Sequence, residues 1–503
     1  MNKKIILYAA MLAASTPAIA GGYFTNTNQN VAFLRQPAHN ATIGIEGAYY
    51  NPAGIGFMNN GWHFGLDLQN ITQRRYIETT YAPLAYGVNN NKSQTKKYVG
   101  KTEVPVLPHL DLAYVHDRWF GSFHFGVISG GGKASFDEGI GSFEAPIAML
   151  PALINNMAGS QVVTAYNADI SMVGQQYNFT GQLNFGYKVM DNLSVSAGLR
   201  LNYLDNKYTG SIKNIQLQYA GNMLPAATVL GGIISTLSGG TIPAATGATM
   251  AAGLVGDKEL NCSQSDFAYT PILSVHYETG KLDLSARYEF NTRVRLTNDT
   301  KSNNTGIAQF DDKKVVASDI PAIAALGGQY KLLPNLRVSV GYNYYFDKQA
   351  KEYNSATDKN DKQDYIESNP WECLAGVEYD INEKFTVSAG ANTTTFGFGD
   401  DKKYISDMSF TTNSVSVGIG GRYHINSKMS VDIAAYNTFY SKLTKEMADY
   451  GNVGASYYAK LAPMAQSIPA LAQKISLEKL QIPGKDVYSR KSLVLGVGFN
   501  YDF

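Results

Sequence analysis

Long stretches of strict alternation constrain this chain more than any other feature. From Leu493 to Phe503 every second residue is apolar, and glycine, asparagine and aspartate fill most positions between them. The segment from Leu193 to Tyr203 repeats the pattern. A period of two predicts strands with one apolar face and one polar or small face. Such runs match a tilted bilayer crossing of about nine to eleven residues, whereas sandwich strands are about half as long.

Aromatic residues favour a barrel in a membrane over a soluble sandwich. Tyr344, Phe346 and Trp371 lie at strand ends, as interfacial girdles require, and the chain ends on the aromatic Phe503. Short turns alternate with long, partly helical external loops. We therefore predict an antiparallel transmembrane β-barrel of about fourteen strands. The predicted strands are 61–72, 108–117, 119–130, 175–189, 192–206, 266–278, 280–294, 318–332, 335–347, 370–381, 383–397, 411–425, 428–441 and 490–503.

The N-terminus has the features of a cleavable signal peptide. Lys3 and Lys4 precede an apolar stretch, 5–14, that is too short to span a bilayer. Ala18-Ile19-Ala20 fits the small-x-small cleavage rule, so residues 1–20 are predicted to be removed. An exported chain with barrel-type strands is expected in the bacterial outer membrane, with residues 61–503 forming the barrel.

Charge and composition argue against several classes of function. A net charge of +1 gives no basic face for nucleic acid. The two cysteines, Cys262 and Cys373, cannot staple a chain of this length, and whether they bond to each other stays open. Ser122 and His124 share a strand face but lack a third catalytic partner, and no Cys/His spacing fits a metal site. We expect no enzyme activity, no metal and no cofactor.

Residues 21–60 do not alternate and precede the first predicted strand. They contain the turn Asn51-Pro52-Ala53-Gly54 and a possible short helix near 29–35. A barrel of about fourteen strands leaves a lumen wide enough for a segment of this size. The sequence therefore predicts an internal plug, or hatch.

This segment also carries a family likeness. Gly21-Gly22-Tyr23-Phe24, Gly44-Ile45-Glu46-Gly47-Ala48 and Asn51-Pro52-Ala53-Gly54 resemble the hatch of the outer-membrane long-chain fatty-acid transporters, the FadL family, whose relatives include the TodX-type hydrocarbon channels. The resemblance implies a plugged fourteen-stranded barrel. It also implies capture of ligand on apolar external loops, transfer to an internal site, and sideways exit through a gap beside a kinked third strand.

Two external loops are unusually apolar for solvated segments. One spans 145–157 and the other 223–254. Exposed apolar surface usually marks a binding site, which predicts a landing groove for a hydrophobic ligand. The alternative is that the loops pack against each other and cap the barrel. The candidate ligand-binding residues are Leu150, Leu153, Ile154, Leu230, Ile233 and Ile234.

Alternation also assigns charged residues to the lumen, because a charge facing lipid near the midplane costs about 2–4 kcal/mol. One interpretation is that an inward arginine binds a fatty-acid carboxylate, which its forked guanidinium suits. The other is a network of paired charges that holds the hatch. The candidate arginines are Arg200, Arg287, Arg337 and Arg422.

Glycines cluster at the end of the third predicted strand. Gly126 precedes the run Gly130-Gly131-Gly132. Glycine weakens strands and permits bulges, so these four residues are candidates for a lateral gate, with simple loop flexibility as the alternative.

Taken together, the residues and the resemblance predict a monomeric channel for passive uptake of hydrophobic small molecules such as long-chain fatty acids. Outer-membrane lipid and lipopolysaccharide are its expected surroundings. An open porin for polar solutes would lack a plug and have polar loops. A surface adhesion barrel is the third possibility.

Overall fold

The computed structural model describes residues 25–503; the predicted signal peptide, 1–20, and the first four hatch residues, 21–24, lie outside them. Strands dominate the described chain. They are β1 Gly61–Tyr81, β2 Thr95–His116, β3 Trp119–Phe136, β4 Val163–Met190, β5 Leu193–Tyr219, β6 Asn222–Pro225, β7 Lys258–Glu278, β8 Leu282–Glu289, β9 Arg295–Asn303, β10 Val315–Ala317, β11 Ile323–Leu333, β12 Leu336–Tyr345, β13 Ile366–Asn382, β14 Phe385–Phe398, β15 Ser414–His424, β16 Met429–Tyr440, β17 Leu443–Met447 and β18 Gly484–Asp502.

Helices occur in the hatch and in the external loops. The α-helices are α1 Val31–Arg35, α2 Gly47–Tyr50, α3 Gly141–Ala158, α4 Ala226–Leu237, α5 Ala244–Val255, α6 Val453–Ser467, α7 Pro469–Lys474 and α8 Leu477–Leu480. Short 3-10 helices span Pro52–Phe57, Ala82–Tyr86, Ala308–Phe310, Asp347–Gln349, Lys362–Tyr365 and Tyr450–Asn452. Between residues 25 and 503, no helix is both long enough and apolar enough to cross a membrane.

The strands form one closed antiparallel sheet. Each crossing pairs with its neighbours in sequence, and β1 pairs with β18 in a continuous register that includes Leu66 opposite Phe499. The segments β8 and β9 make up one crossing, as do β10 and β11, and β16 and β17, whereas β6 belongs to a loop. The described residues thus make fourteen crossings, and the prediction from alternation is confirmed.

The two faces of the wall have opposite character. Leu199 and Leu201 are 44% and 54% exposed on the outer surface, while Arg200 between them is buried in the lumen. The same alternation places Leu183 and Phe185 outside and Asn184 inside. Apolar residues outside and polar residues inside are the reverse of a soluble protein and are expected of a transmembrane barrel.

Several strands are longer than the sequence predicted. The strands β4 and β5 have 28 and 27 residues, and β1 continues to Tyr81 rather than ending near 72. The outward faces of their outer ends carry polar and charged residues, so the apolar outer face stops while the hydrogen-bonded hairpins continue. Many residues that the alternation pattern assigned to loops therefore belong to strands, which extend beyond the part of the barrel with an apolar outer surface.

Residues 29–56 are mostly buried against the inner faces of the strands, whereas Asn59 and Asn60 are exposed at the short-turn end. The helix α1 is wholly buried and packs against β15, β16 and β18. Its Arg35 forms ion pairs of 3.2 Å with Glu378 and 3.3 Å with Asp432, and donates to Ser388 at 2.9 Å. These partners come from β13, β16 and β14, so one side chain ties the segment to three strands.

Replacing Arg35 with Met should weaken the barrel and loosen the hatch. The substitution leaves Glu378 and Asp432 without this partner, and breaking such a buried pair costs about 3–5 kcal/mol. Urea unfolding of the protein in lipid vesicles measures the loss, and single-channel recording should show a higher conductance to small ions.

Arg118→Met is the matched control, because Arg118 pairs with Asp191 at an exposed turn, where ion pairs contribute little. Equal stability and conductance of the two variants would show that Arg35 does not anchor the hatch.

Candidate functional site

The ladder between β2 and β3 is interrupted. The two strands pair at Lys101–Ser135 and Thr102–Ala134, and again from Leu110–Phe125 towards the short turn. Between these points, residues 103–109 and 126–133 face each other without pairing. We call this stretch the wall gap.

Local sequence explains why the strands separate there. Pro105 and Pro108 lie on the β2 side, and proline has no N–H to donate to a neighbouring strand. On the β3 side, Gly130 and Gly132 have φ angles of +97° and +69°, which L side chains rarely adopt. The pairing of β3 with β4 also shifts register between Val127 and Gly132. Both edges of the wall gap are therefore fixed by the backbone chemistry of a few residues.

The four glycines that the sequence suggested as a lateral gate have different structural roles. Gly130 and Gly132 adopt the conformations of the bulge, and Gly131 lies between them in β3. Gly126 is different, because a Cβ there would lie 2.5 Å from the His109 ring and 2.9 Å from Gln29 of the hatch. Gly126 provides room for the hatch rather than bending the strand. Pro105 and Pro108 were missed, although two prolines within a strand would have indicated an unpaired edge.

A cavity of about 130 Å³ lies directly behind the wall gap. Hatch residues 25–29 form part of its lining. Apolar side chains line it where it meets the wall gap, whereas Gln73, Arg75, Arg490 and Ser492 supply polar groups from β1 and β18. The apolar residues of this mouth are Val104, Leu107, Val127 and Ile128.

A second, smaller chamber of about 40 Å³ lies beside the first and shares Arg75 and Gly132 with it. Its lining is mainly apolar and includes Phe136, Ile140 and Met172. Phe136 and Ile140 also belong to the hydrophobic core of the external loops. The second chamber therefore lies between the first cavity and the hydrophobic core of the external loops.

The external loops form a compact cap. Side chains of α3, α4, α5, α6, α7 and α8 share one hydrophobic core, and Tyr457 of α6 donates to the Pro146 carbonyl of α3 at 2.9 Å. The six candidate ligand-binding residues are all buried in this core. They are Leu150, Leu153, Ile154, Leu230, Ile233 and Ile234.

An open groove at these six residues is therefore not what the structure shows. The helices bury their apolar faces against one another, which removes that surface from water. A contribution of these residues to ligand capture stays a prediction, and it requires the cap to loosen.

The four lumen arginines selected from the sequence are paired with carboxylates. Arg200 holds Glu289 through two hydrogen bonds of 2.6 and 3.0 Å. Arg337 binds Asp380, and Arg422 binds Asp432, each with two contacts between 2.6 and 2.9 Å.

Arg287 also contacts Glu289, at 3.4 Å, and donates to the Tyr49 carbonyl of the hatch. None of the four arginines lines the cavity behind the wall gap. The pairing of these arginines with carboxylates fits the second interpretation made from the sequence, a network of paired charges that holds the hatch.

The Asn51-Pro52-Ala53-Gly54 motif is a structural anchor of the hatch. Asn51 donates to the Thr42 carbonyl at 3.0 Å and accepts from the Gly54 N–H at 3.3 Å. Pro52 starts a 3-10 helix. The Ala53 carbonyl accepts from Ser194 of β5 at 2.6 Å, and its N–H donates to Ser274 of β7.

A separate, charged vestibule of about 840 Å³ lies at the short-turn end of the barrel. Its lining includes Arg337, Glu378, Asp380 and the hatch residue Glu46. Burial alone would raise the pKa of the Glu46 carboxyl, but the His39 hydrogen bond and nearby positive charges lower it to about 2. The hatch therefore presents an ionised surface to this vestibule. Within residues 25–503, no group of His, Cys, Asp or Glu has the arrangement of a metal site, and both cysteines are free.

Replacing Gly130 with Val should destabilise the bulge in β3. Its φ of +97° disfavours a side chain, and a Cβ would lie 2.3 Å from the Gln176 carbonyl oxygen of β4. We expect a loss of about 1–3 kcal/mol in urea unfolding. Gly221→Val is the control, because its φ is +82° but nothing lies within 4 Å of the added Cβ. A loss no greater than that of the control would contradict the steric account.

Comparison with known proteins gives a likeness in structure. No family model and no curated protein sequence matches the chain. A Pseudomonas aeruginosa FadL homologue has a similar structure at 13% identity and a TM-score of 0.58, covering 96% of this chain and 100% of its own. The P. putida toluene transporter TodX matches at 13% identity and a TM-score of 0.52, over 92% and 94%. The Ralstonia pickettii toluene transporter TbuX matches at 13% and 0.52, over 95% and 99%. By its architecture, the chain has the barrel fold of the FadL and TodX proteins.

Proposed function

We propose that this protein is a bacterial outer-membrane channel for passive uptake of hydrophobic small molecules, typified by long-chain fatty acids. Solutes enter beneath the external cap, occupy the cavity and leave sideways through the wall gap into the bilayer. The observation that carries this proposal is the coincidence of an internal cavity with an unpaired, apolar-edged stretch of wall.

Sideways release into the bilayer lowers the free energy of an apolar solute more than release into water does. Each methylene that remains in hydrocarbon rather than water is favoured by about 0.8 kcal/mol. The axial path is opposed by the buried hatch and by the charged vestibule beyond it. The toluene transporters TodX and TbuX, which share the fold, also support a hydrophobic cargo.

The alternatives have less support. A general porin requires an open polar lumen, whereas hatch residues such as Val31 and Ala48 are completely buried in this one. An enzyme built on Ser122 and His124 lacks the necessary contact. His124 binds Asp111 at 2.7 Å and Gln29 at 3.3 Å, while Ser122 accepts a hydrogen bond from Asn184. We propose that the protein acts as a monomer without catalysis, surrounded by outer-membrane lipid and lipopolysaccharide.

A reversible clamp across the wall gap tests the exit route. A Cβ on Gly132 would lie 3.0 Å from a side-chain carbon of Val104, so cysteines at these positions can form a disulfide that ties β2 to β3. In a background with Cys262 and Cys373 changed to Ser, the oxidised clamp should reduce uptake of radiolabelled palmitate at least about tenfold in cells. Palmitate binding to the purified protein should persist.

Reduction of the same protein should restore uptake, which makes each sample its own control. A disulfide between β14 and β15, at Ala391→Cys and Val417→Cys, joins a regularly paired part of the wall and should not affect uptake. Equal uptake by the oxidised and reduced clamp would exclude the wall gap as the exit.

A further inference from the structure

Three positively charged side chains lie side by side on the outer face of the wall. Arg74 of β1 is directly opposite Lys491 of β18 and directly opposite Lys101 of β2. All three belong to the outer face, because the residues next to them in sequence, such as Thr102 and Ser492, are buried. Neighbouring strands are about 4.8 Å apart, so the row spans about 10 Å of backbone. We call these three residues the basic row.

The basic row marks the outer edge of the apolar surface. Leu68 of β1 and Leu493 of β18 are exposed on that surface, and the charges follow them towards the external loops. From Trp62, at the opposite edge, to Arg74 the strand is slightly longer than the about nine to eleven residues of a tilted crossing. At the end of the barrel that carries the long loops, this is the level at which the headgroups of the outer leaflet begin.

Other exposed lysines on the same strands face acidic residues instead. Farther from the apolar surface, Lys97 of β2 is opposite Glu78 of β1. Lys485 of β18 is likewise opposite Glu446 of β17. Opposite charges across a ladder stabilise it, whereas like charges directly opposite each other destabilise it. The basic row therefore carries an electrostatic cost that these neighbouring pairs avoid.

The protein itself neutralises part of this charge. Glu103 of β2 forms an ion pair of 2.6 Å with Arg74. Within the described part of the chain, neither Lys101 nor Lys491 forms an ion pair. Lys133 of β3 lies diagonally across from Lys101 and adds a fourth exposed positive charge. An excess of positive charge at the edge of an apolar surface suits a lipid that has an anionic head and apolar chains.

We infer that the basic row binds a phosphate group of lipopolysaccharide, the phosphorylated glycolipid of the outer leaflet. The phosphate oxygens accept hydrogen bonds from the ammonium groups of Lys101 and Lys491 and offset the repulsion within the row. The acyl chains lie along the apolar outer face, beside Leu68 and Leu493. Because Lys101 belongs to the pairs that close the outer end of the wall gap, the bound lipid lies beside the proposed exit. The inference needs the outer-membrane location but no particular solute.

Lipid A, the membrane anchor of lipopolysaccharide, tests the site in two forms, with and without its phosphates. Each form is added to the purified protein in a neutral maltoside detergent, and the bound fraction is measured by native mass spectrometry. We expect the phosphorylated form to bind about tenfold more tightly, because charge-assisted hydrogen bonds are involved. Lys101→Gln combined with Lys491→Gln should remove most of this preference and leave the affinity for the dephosphorylated form unchanged.

Lys97→Gln combined with Lys485→Gln is the matched control. This double variant removes the same charge from the same two strands at positions that face acidic residues, so the preference should persist. Glu103→Gln should tighten binding of phosphorylated lipid A, because it removes the carboxylate that is paired with Arg74. A gain in affinity cannot result from partial unfolding. Heat-modifiable gel mobility confirms that each variant is folded.

Three results would contradict the lipid site. They are equal binding of the two forms to the unaltered protein, a full preference in the Lys101 and Lys491 double variant, and displacement of lipid A by inorganic phosphate at a similar concentration. The last result would indicate a site for free anions rather than for a lipid. The channel function stands in each case, because the disulfide clamp tests it separately. Failure of the clamp would in turn leave the lipid site in place.

Discussion

A backbone inside a bilayer has no water to bind, so its N–H and C=O groups must find partners within the protein. The closed ladder of fourteen crossings meets this requirement around almost the whole circumference. The wall gap is a local interruption of this ladder. It is tolerated because two prolines of β2 have no N–H group that needs a partner, and because the cavity and the hatch lie behind the gap. The proposed exit follows from the position of this break in the ladder, in front of the cavity.

The hatch and the wall gap depend on each other. A barrel of this width without a filling would admit water along its axis, and an opening in its side would then lead from water to lipid. Arg35, Asn51 and Ala53 hold the hatch against strands on several sides of the lumen. Buried ion pairs and hydrogen bonds fix the hatch in the lumen. Hatch residues 25–29 can therefore form part of the cavity lining and leave the apolar opening towards the wall gap clear.

The sequence predicted what depends on a strict period and missed what depends on distant contacts. Alternation assigned Arg200 and Arg422 to the lumen, because a period of two leaves only one face for a charge, and in the structure the two arginines pair with Glu289 and Asp432. Alternation could not indicate that Arg75 reaches the cavity, since the pattern ends near residue 72 while the hairpin continues. The burial of Leu150 and Leu230 depends on packing between α3 and α4, and a loop sequence does not reveal its partners.

The length of β4 and β5 has a consequence for where solutes are first met. At about 3.3 Å per residue, a strand of 28 residues extends about 90 Å along its axis, whereas a tilted crossing uses about nine to eleven residues. The hairpin therefore carries the cap well beyond the part of the barrel whose outer surface is apolar. On the proposed uptake route, a hydrophobic solute therefore first meets the protein at a distance from the membrane surface and reaches the wall gap along the inside of the long hairpins.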